Sequence, residues 1–170
     1  MDSTTKDWLI VGCAIVSMCA SLSVPITMYY AGKLHRVTNP VRLARKETYT
    51  ILLGLAAQTR DRFQSALIRQ KLQRTRPDSE EIAVQVDEDL GAAWAALEGL
   101  GQTLQAEQLI CSDKVITLIS DARTNHFYNA ESLFRVYGHA ALDIDALHKH
   151  AQDLTEKLKR RCRRELGLNV

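Results

Sequence analysis

The sequence has few aromatic residues, few residues that interrupt helices and almost no net charge. Only 6% of its 170 residues are aromatic, and it contains three prolines and eight glycines. So little glycine and proline excludes a collagen-like or low-complexity polymer, and a hydrophobic share of 46% is too high for wholesale disorder. A net charge of +2 argues against a protein that coats nucleic acid along its whole length. The length suits one compact domain.

Cysteine is also sparse, and the common catalytic motifs are missing. Cys13, Cys19, Cys111 and Cys162 form no C-x-x-C pair, so their spacing predicts neither a zinc site nor a disulfide-dense scaffold. The sequence contains no G-x-x-x-x-G-K-[ST], G-x-S-x-G or H-E-x-x-H motif. We therefore predict no enzymatic activity, no catalytic residues, no metal and no cofactor.

Charge is absent from residues 8–32 altogether. At about 1.5 Å of rise per residue, a helix of this length crosses the roughly 30 Å hydrocarbon core of a bilayer. Trp8 at one end and Tyr29 at the other fall where amphipathic rings favour the headgroup level. The short flank 1–7 lacks the basic start of a signal peptide. We expect a single transmembrane helix over residues 8–32.

Basic residues follow this segment at once and set its orientation. Residues 33–46 contain no acid and five cations: Lys33, Arg36, Arg42, Arg45 and Lys46. The positive-inside rule then places the N-terminus outside, a basic juxtamembrane linker over 33–39, and a helical domain over 40–170 in the cytoplasm. In that compartment Cys111 and Cys162 are expected to be reduced.

A stripe of small residues lies along one face of the predicted membrane helix. Cys13, Ser17 and Ser21 recur every fourth residue, a spacing that favours close packing against a second membrane helix and hence a homo-oligomer. The alternative is a moderately apolar helix with ordinary serines, because the pattern is frequent by chance.

Residues 40–170 carry the apolar spacing of four helices. Pro40 suits the first helical position and Pro77 ends the first run. Asp78, with Glu81 three residues later, resembles a capping box that opens the second helix. Ser112 and Asp143 are predicted to cap the third and fourth helices. The predicted N-caps of the four helices, in order, are Asn39, Asp78, Ser112 and Asp143.

Each helix presents one apolar face, and short turns join the helices. The predicted core positions are Leu52, Leu55, Ala56, Phe63, Leu67 and Leu72 in the first; Ile82, Val86, Leu90, Ala93, Leu97, Leu100 and Leu104 in the second; Val115, Ile119, Ala122, His126, Leu133 and Tyr137, flanked by Phe127 and Phe134, in the third; and Leu147, Ala151, Leu154, Leu158 and Leu166 in the fourth. The near-heptad rhythm of the second helix is typical of coiled-coil packing. We predict an all-α protein: a transmembrane helix followed by an antiparallel up-down four-helix bundle.

The first two helices of the bundle are opposite in charge. The first is basic, with Arg60, Arg62, Arg69, Lys71, Arg74 and Arg76. No Lys or Arg occurs between Arg76 and Lys114, a stretch that holds Asp78, Glu80, Glu81, Asp87, Glu88, Asp89, Glu98, Glu107 and Asp113. Complementary charge predicts that these helices pair as a hairpin.

The last helix ends in a second basic cluster, formed by Lys157, Lys159, Arg160, Arg161, Arg163 and Arg164. An up-down topology returns this cluster to the end of the bundle where residues 33–46 lie, so both would face one anionic leaflet. Alternatively, these cations are simply solvated at the C-terminal end of the helix, where positive charge is favoured by the helix dipole. A nucleic-acid site is disfavoured because no aromatic residue interleaves with the cations to stack on bases.

One half of a di-metal carboxylate motif is present. Asp145-x-x-His148, with Glu131 nearby, approximates the Glu-x-x-His pattern of such bundles. A single half-motif favours a salt-bridged surface cluster instead, and His126 on the apolar stripe is interpreted as a hydrogen-bonded core histidine.

Together these features predict a single-pass, membrane-anchored helical bundle that acts as a scaffold, adaptor or sensor at the cytoplasmic face. Its expected partners are anionic lipids and a protein, or a second copy, bound through the membrane helix or the bundle. A membrane-tethered nucleic-acid-binding protein is the alternative, and a small carboxylate metalloenzyme comes third.

Overall fold

A computed structural model describes residues 40–76 and 79–168. The chain forms two compact units, Met1–Leu43 and Ala44–Val170. In the first unit only residues 40–43 are described, and they are helical.

Several predictions fall on residues that the structure does not describe. They include the flank 1–7, the transmembrane helix 8–32 with Cys13, Ser17 and Ser21, and the linker 33–39 with Lys33, Arg36 and the predicted cap Asn39; Asp78 is outside as well. Over the two described ranges, no helix combines the length and the apolar character that a bilayer crossing requires.

The described residues are helical and include no strand. Helix α1 covers residues 40–75. The others are α2 (Glu80–Ala106), α3 (Asp113–Ala122), α4 (Tyr128–Tyr137) and α5 (Ile144–Glu165). A π-helical turn, Arg123–Phe127, joins α3 and α4 into one rod, and a 3-10 turn, His139–Ala141, precedes α5. Because α3 and α4 form one rod, the four predicted helices and the all-α bundle are confirmed.

Neighbouring helices in the unit Ala44–Val170 run antiparallel. In each pair, contacts at rising residue numbers on one helix meet falling numbers on its neighbour. For α1 and α2 the contacts are Leu55 with Gly99 and Arg69 with Asp89. For α1 and α5 they are Ala56 with Thr155 and Tyr49 with Glu165, and for the rod and α5 they are Ser112 with Glu165 and His126 with His150. Trp94 of α2 contacts Phe127 and Phe134 of the rod.

Local signals set the starts of α3 and α5 and the end of α4 as the sequence predicts, whereas the N-cap of α2 is Ser79 and not Asp78, and the Ser79 side chain makes no capping hydrogen bond. The Ser112 side chain accepts a hydrogen bond from the Val115 N–H at 3.3 Å, and Asp143 accepts one from the Ala146 N–H at 3.0 Å. Each side chain satisfies one of the amide groups that a helix start leaves without an intrahelical partner. Gly138 ends α4 with φ of 68°, a left-handed conformation that glycine adopts without steric cost.

The predicted core faces of α2 and α5 are confirmed apart from Ile82 and Leu166, which are half-buried, and that of the rod is partly wrong. Val115 and Ile119 are buried, but His126 is exposed, Leu133 is 43% exposed and Tyr137 is 67% exposed. The π turn adds a residue to one helical turn, so the buried face moves by one position and Phe127 takes the place predicted for His126. In α1, Leu72 lies near the end of the helix and is also exposed, contrary to prediction.

Buried charge joins α1 to α2, as the opposite charges of the two helices predict. Asp89 of α2 is 3% exposed and pairs with Arg69 and, at 3.2 Å, with Arg62. Arg69 also donates to the backbone oxygen of Gln85 at 3.2 Å. A carboxylate this buried requires such partners, because an unpaired charge in the core is costly.

Candidate functional site

Glu165 is the centre of a polar cluster at one end of the bundle. Its Oε1 accepts hydrogen bonds from Ser112 Oγ at 2.6 Å and from Arg161 Nε at 2.6 Å, and its Oε2 accepts one from the Tyr49 hydroxyl. The Ser112 N–H donates in turn to the Tyr49 oxygen at 3.4 Å. The carboxylate therefore holds the C-terminal turn of α5 against both α1 and the start of α3.

The electrostatics of this cluster favour a charged Glu165. Burial alone would raise the pKa of Glu165, but the hydrogen bonds from Ser112, Tyr49 and Arg161 outweigh it, and the pKa falls below its ordinary value. Burial, reinforced by the bond to Glu165, raises the pKa of Tyr49 to about 12, so its hydroxyl stays a proton donor.

Arg45 adds a second link at the same end. Its Nε donates to the backbone oxygen of Ile110 at 3.0 Å, which ties α1 to the turn between α2 and α3. Lys46 beside it is exposed. Of the other predicted basic residues in this part of the chain, Arg42 belongs to the unit Met1–Leu43, and Lys33 and Arg36 lie outside the described residues.

The basic cluster of α5 divides into paired and unpaired cations. Lys157 pairs with Asp153 at 2.7 Å, Lys159 lies 4.0 Å from Glu156, and Arg161 binds Glu165. The remaining three, Arg160, Arg163 and Arg164, are exposed, and no ion pair joins them to any side chain in the described ranges. The exposed cations at this end of the bundle that form no ion pair with another described residue are these three arginines, Lys46 and, in the first turn of α3, Lys114.

Two free thiols lie beneath this end. Cys111 and Cys162 are both buried. Burial, with smaller contributions from Glu165 and Cys111, raises the pKa of Cys162 to about 12. Burial followed by Glu107 raises the pKa of Cys111 as well. Both thiols are therefore protonated near neutral pH, the state in which cysteine is least reactive.

The residues of the half-motif for a metal have other partners. Asp145 pairs with Lys149 at 2.5 Å and Glu131 with Arg135 at 2.6 Å. The pKa of Asp145 is lowered, chiefly by the hydrogen bond from Lys149. His148 has a buried Nδ1 without a hydrogen-bond partner. Within 40–76 and 79–168, no three His, Cys, Asp or Glu side chains are grouped so that they could hold a metal ion.

No pattern in the sequence predicts the cluster around Glu165. Tyr49 falls one turn before Leu52 on the apolar face of α1, and this spacing could have placed it in the core. Its pairing with Glu165 joins residues more than a hundred positions apart, and no local pattern predicts such a contact.

Comparison with known proteins finds no match for this chain among family models, curated proteins or solved structures.

Proposed function

We propose that the chain is a single-pass membrane protein whose helical bundle serves as an interaction module at the cytoplasmic face. In this proposal residues 8–32 cross the bilayer, and the basic end of the bundle, meaning Lys46, Arg160, Arg163 and Arg164, faces anionic lipid headgroups. The bundle presents its remaining surface to a protein partner or to a second copy of the chain, as a scaffold, adaptor or sensor does.

The observation that carries the proposal is the hydrogen bonding of Glu165. Through Tyr49 and Ser112, this carboxylate brings the end of α5 to the start of the bundle. The exposed arginines of α5 therefore lie at the same end of the unit as Lys46, which follows the predicted membrane segment closely in sequence. Cations grouped in this way are what an anionic leaflet attracts.

The magnitude of the attraction is sufficient to orient a bundle of this size. A Lys or Arg near an anionic surface contributes on the order of 1 kcal/mol. Three arginines together would then strengthen binding by roughly a hundredfold. Cations already paired with acids, such as Lys157 with Asp153, are expected to contribute less.

A vesicle experiment tests the role of the basic end. We expect residues 33–170 to sediment with phosphatidylserine vesicles and not with neutral ones, and the combined change Arg160→Glu, Arg163→Glu and Arg164→Glu to weaken this binding at least about a hundredfold. The matched control reverses Lys71, Arg74 and Arg76, three exposed cations at the opposite end of α1. Thermal unfolding checks that each variant is folded.

Three results would contradict the proposal: absence of binding to anionic vesicles, equal loss in both triple variants, or no loss in either. If the same arginines instead support salt-sensitive binding to DNA or RNA and not to vesicles, the nucleic-acid alternative replaces the membrane one.

A further inference from the structure

A cavity of about 200 Å³ lies beside the π turn, between α2 and the rod formed by α3 and α4. Leu97 of α2 lines one side, and the rod contributes Ser120, Arg123, Thr124, Phe127, Tyr128 and Glu131. Turns of π-helix occur frequently at functional sites. The cavity is far from the basic end of the bundle in sequence and shares no residue with it.

Arg123 is the charged group that sets the chemistry of this cavity. It is half-buried, and its guanidinium has no hydrogen bond or ion pair to any other residue that the structure describes. The guanidinium packs directly on Gly101 of α2: a Cβ added there would lie 1.8 Å from Nη1. Only glycine at position 101 leaves room for the guanidinium where it is.

We propose that this cavity binds a small organic monocarboxylate, held through its carboxylate by Arg123 and through its apolar body by the exposed ring of Tyr128. The planar guanidinium fork matches a carboxylate with two parallel hydrogen bonds. The hydroxyls of Ser120 and Thr124 supply further donors. This assignment is independent of the proposed membrane role.

The other lining residues select against larger or more highly charged anions. Glu131 lies in the same cavity and is partly neutralised by Arg135 through hydrogen bonds of 2.6 and 3.2 Å, so its remaining charge opposes a dianion such as phosphate more strongly than a monocarboxylate. The volume is below the roughly 300–1,000 Å³ of sites for drug-sized ligands. The ring of Tyr128, which is 68% exposed, favours a ligand with a hydrocarbon body over a bare inorganic ion.

Equilibrium dialysis of radiolabelled benzoate tests the proposal. The full chain is used in a mild non-ionic detergent, which suits it with or without a membrane segment, and the detergent alone is the blank for partitioning. We expect one saturable site per chain with Kd below about 1 mM. Arg123→Gln should weaken binding at least about tenfold, because it removes the cation and its fork. Gly101→Ala should do the same without touching the ligand, because the added methyl group displaces the guanidinium.

Matched variants separate this effect from a general loss of structure. Gly91→Ala lies on the same helix, where an added Cβ meets no heavy atom within 4 Å, and Arg74→Gln removes an exposed arginine of α1; both should bind benzoate like the native chain. Gly101→Ala should remain folded because the displaced atoms are the tip of a flexible side chain. Thermal unfolding of every variant verifies this, and Arg123→Gln decides the question if Gly101→Ala is unstable.

The proposal is overturned if benzoate shows no saturable binding at about 10 mM, or if binding survives Arg123→Gln unchanged. It is also overturned if unlabelled inorganic phosphate competes as well as unlabelled benzoate, because the cavity would then be a general anion site.

Discussion

The Glu165 carboxylate accepts hydrogen bonds from Ser112, Tyr49 and Arg161, and in this way a single residue joins three segments of the chain. A hydrogen bond to a charged group makes a net contribution of about 1.5–3 kcal/mol after the exchange with water. Because desolvation opposes the charge, the cluster stabilises the fold only while its donors remain in place. The end of the bundle is thus sensitive to single substitutions.

The pKa of Glu165 predicts how stability depends on pH. Its folded pKa is below the ordinary value of 4.5, so its contribution is present above about pH 4.5 and is lost as pH falls through the lowered pKa. We expect Glu165→Gln to reduce the melting temperature at pH 7, and the difference from the native chain to shrink as pH falls toward 3. Thermal unfolding of residues 33–170 across this range measures it.

Glu88→Gln provides the control for this prediction, because Glu88 is exposed on α2. That variant should follow the native pH profile. A constant difference between Glu165→Gln and the native chain at every pH would contradict the assigned role of the carboxylate charge.

At the scale of single residues, local chemistry made some features predictable and others not. Ser112 and Asp143 were predicted as N-caps because a cap depends only on its own helix. The bond of Tyr49 to Glu165 depends on the packing of the first helix against the last. Such a contact becomes visible only when the tertiary structure is known.

At the scale of helices, the π turn Arg123–Phe127 is the feature that the apolar spacing did not reveal. The pattern through Val115 and Ile119 continues equally well to His126 in a regular helix or to Phe127 across a π turn. Tertiary packing favours the second choice, because Phe127 stacks on Phe63 with ring centres 6.0 Å apart and meets Trp94 edge-on. His126 instead lies outside the core, stacked on His150.

The pairing of α1 with α2 depends on Asp89. Asp89→Ala leaves Arg62 and Arg69 without their buried acceptor, but both arginines are partly exposed and can turn to solvent. We therefore expect a loss of about 1–3 kcal/mol in the free energy of unfolding, measured by urea denaturation.

Asp87→Ala is the matched control, two residues away on α2. Asp87 is exposed and pairs with His139 at 2.9 Å, so its loss should cost about 0–1 kcal/mol. Equal effects of the two substitutions would show that the buried pair does not hold the hairpin together.

At the scale of the whole molecule, the near-zero net charge conceals a separated distribution of charge. Asp89 of α2 pairs with Arg62 and Arg69 of the basic α1, whereas Arg160, Arg163 and Arg164 remain exposed at the end of α5. The sequence was sufficient to predict four helices and their order, because apolar period and short turns restrict the possible topologies. Which cations remain unpaired could not be predicted, since this depends on side-chain contacts between elements.

The central claim is that residues 8–32 anchor the bundle on the cytoplasmic side of a membrane. A reporter that is active only in the cytoplasm, fused to Val170 of the full chain, tests this claim most directly. Its activity is measured in the membrane fraction after alkaline carbonate extraction, with a chain lacking residues 1–39 as the control. We expect active reporter that stays in the membrane fraction, and release of the control. An inactive reporter on the full chain, or active reporter extracted as readily as the control, would contradict it.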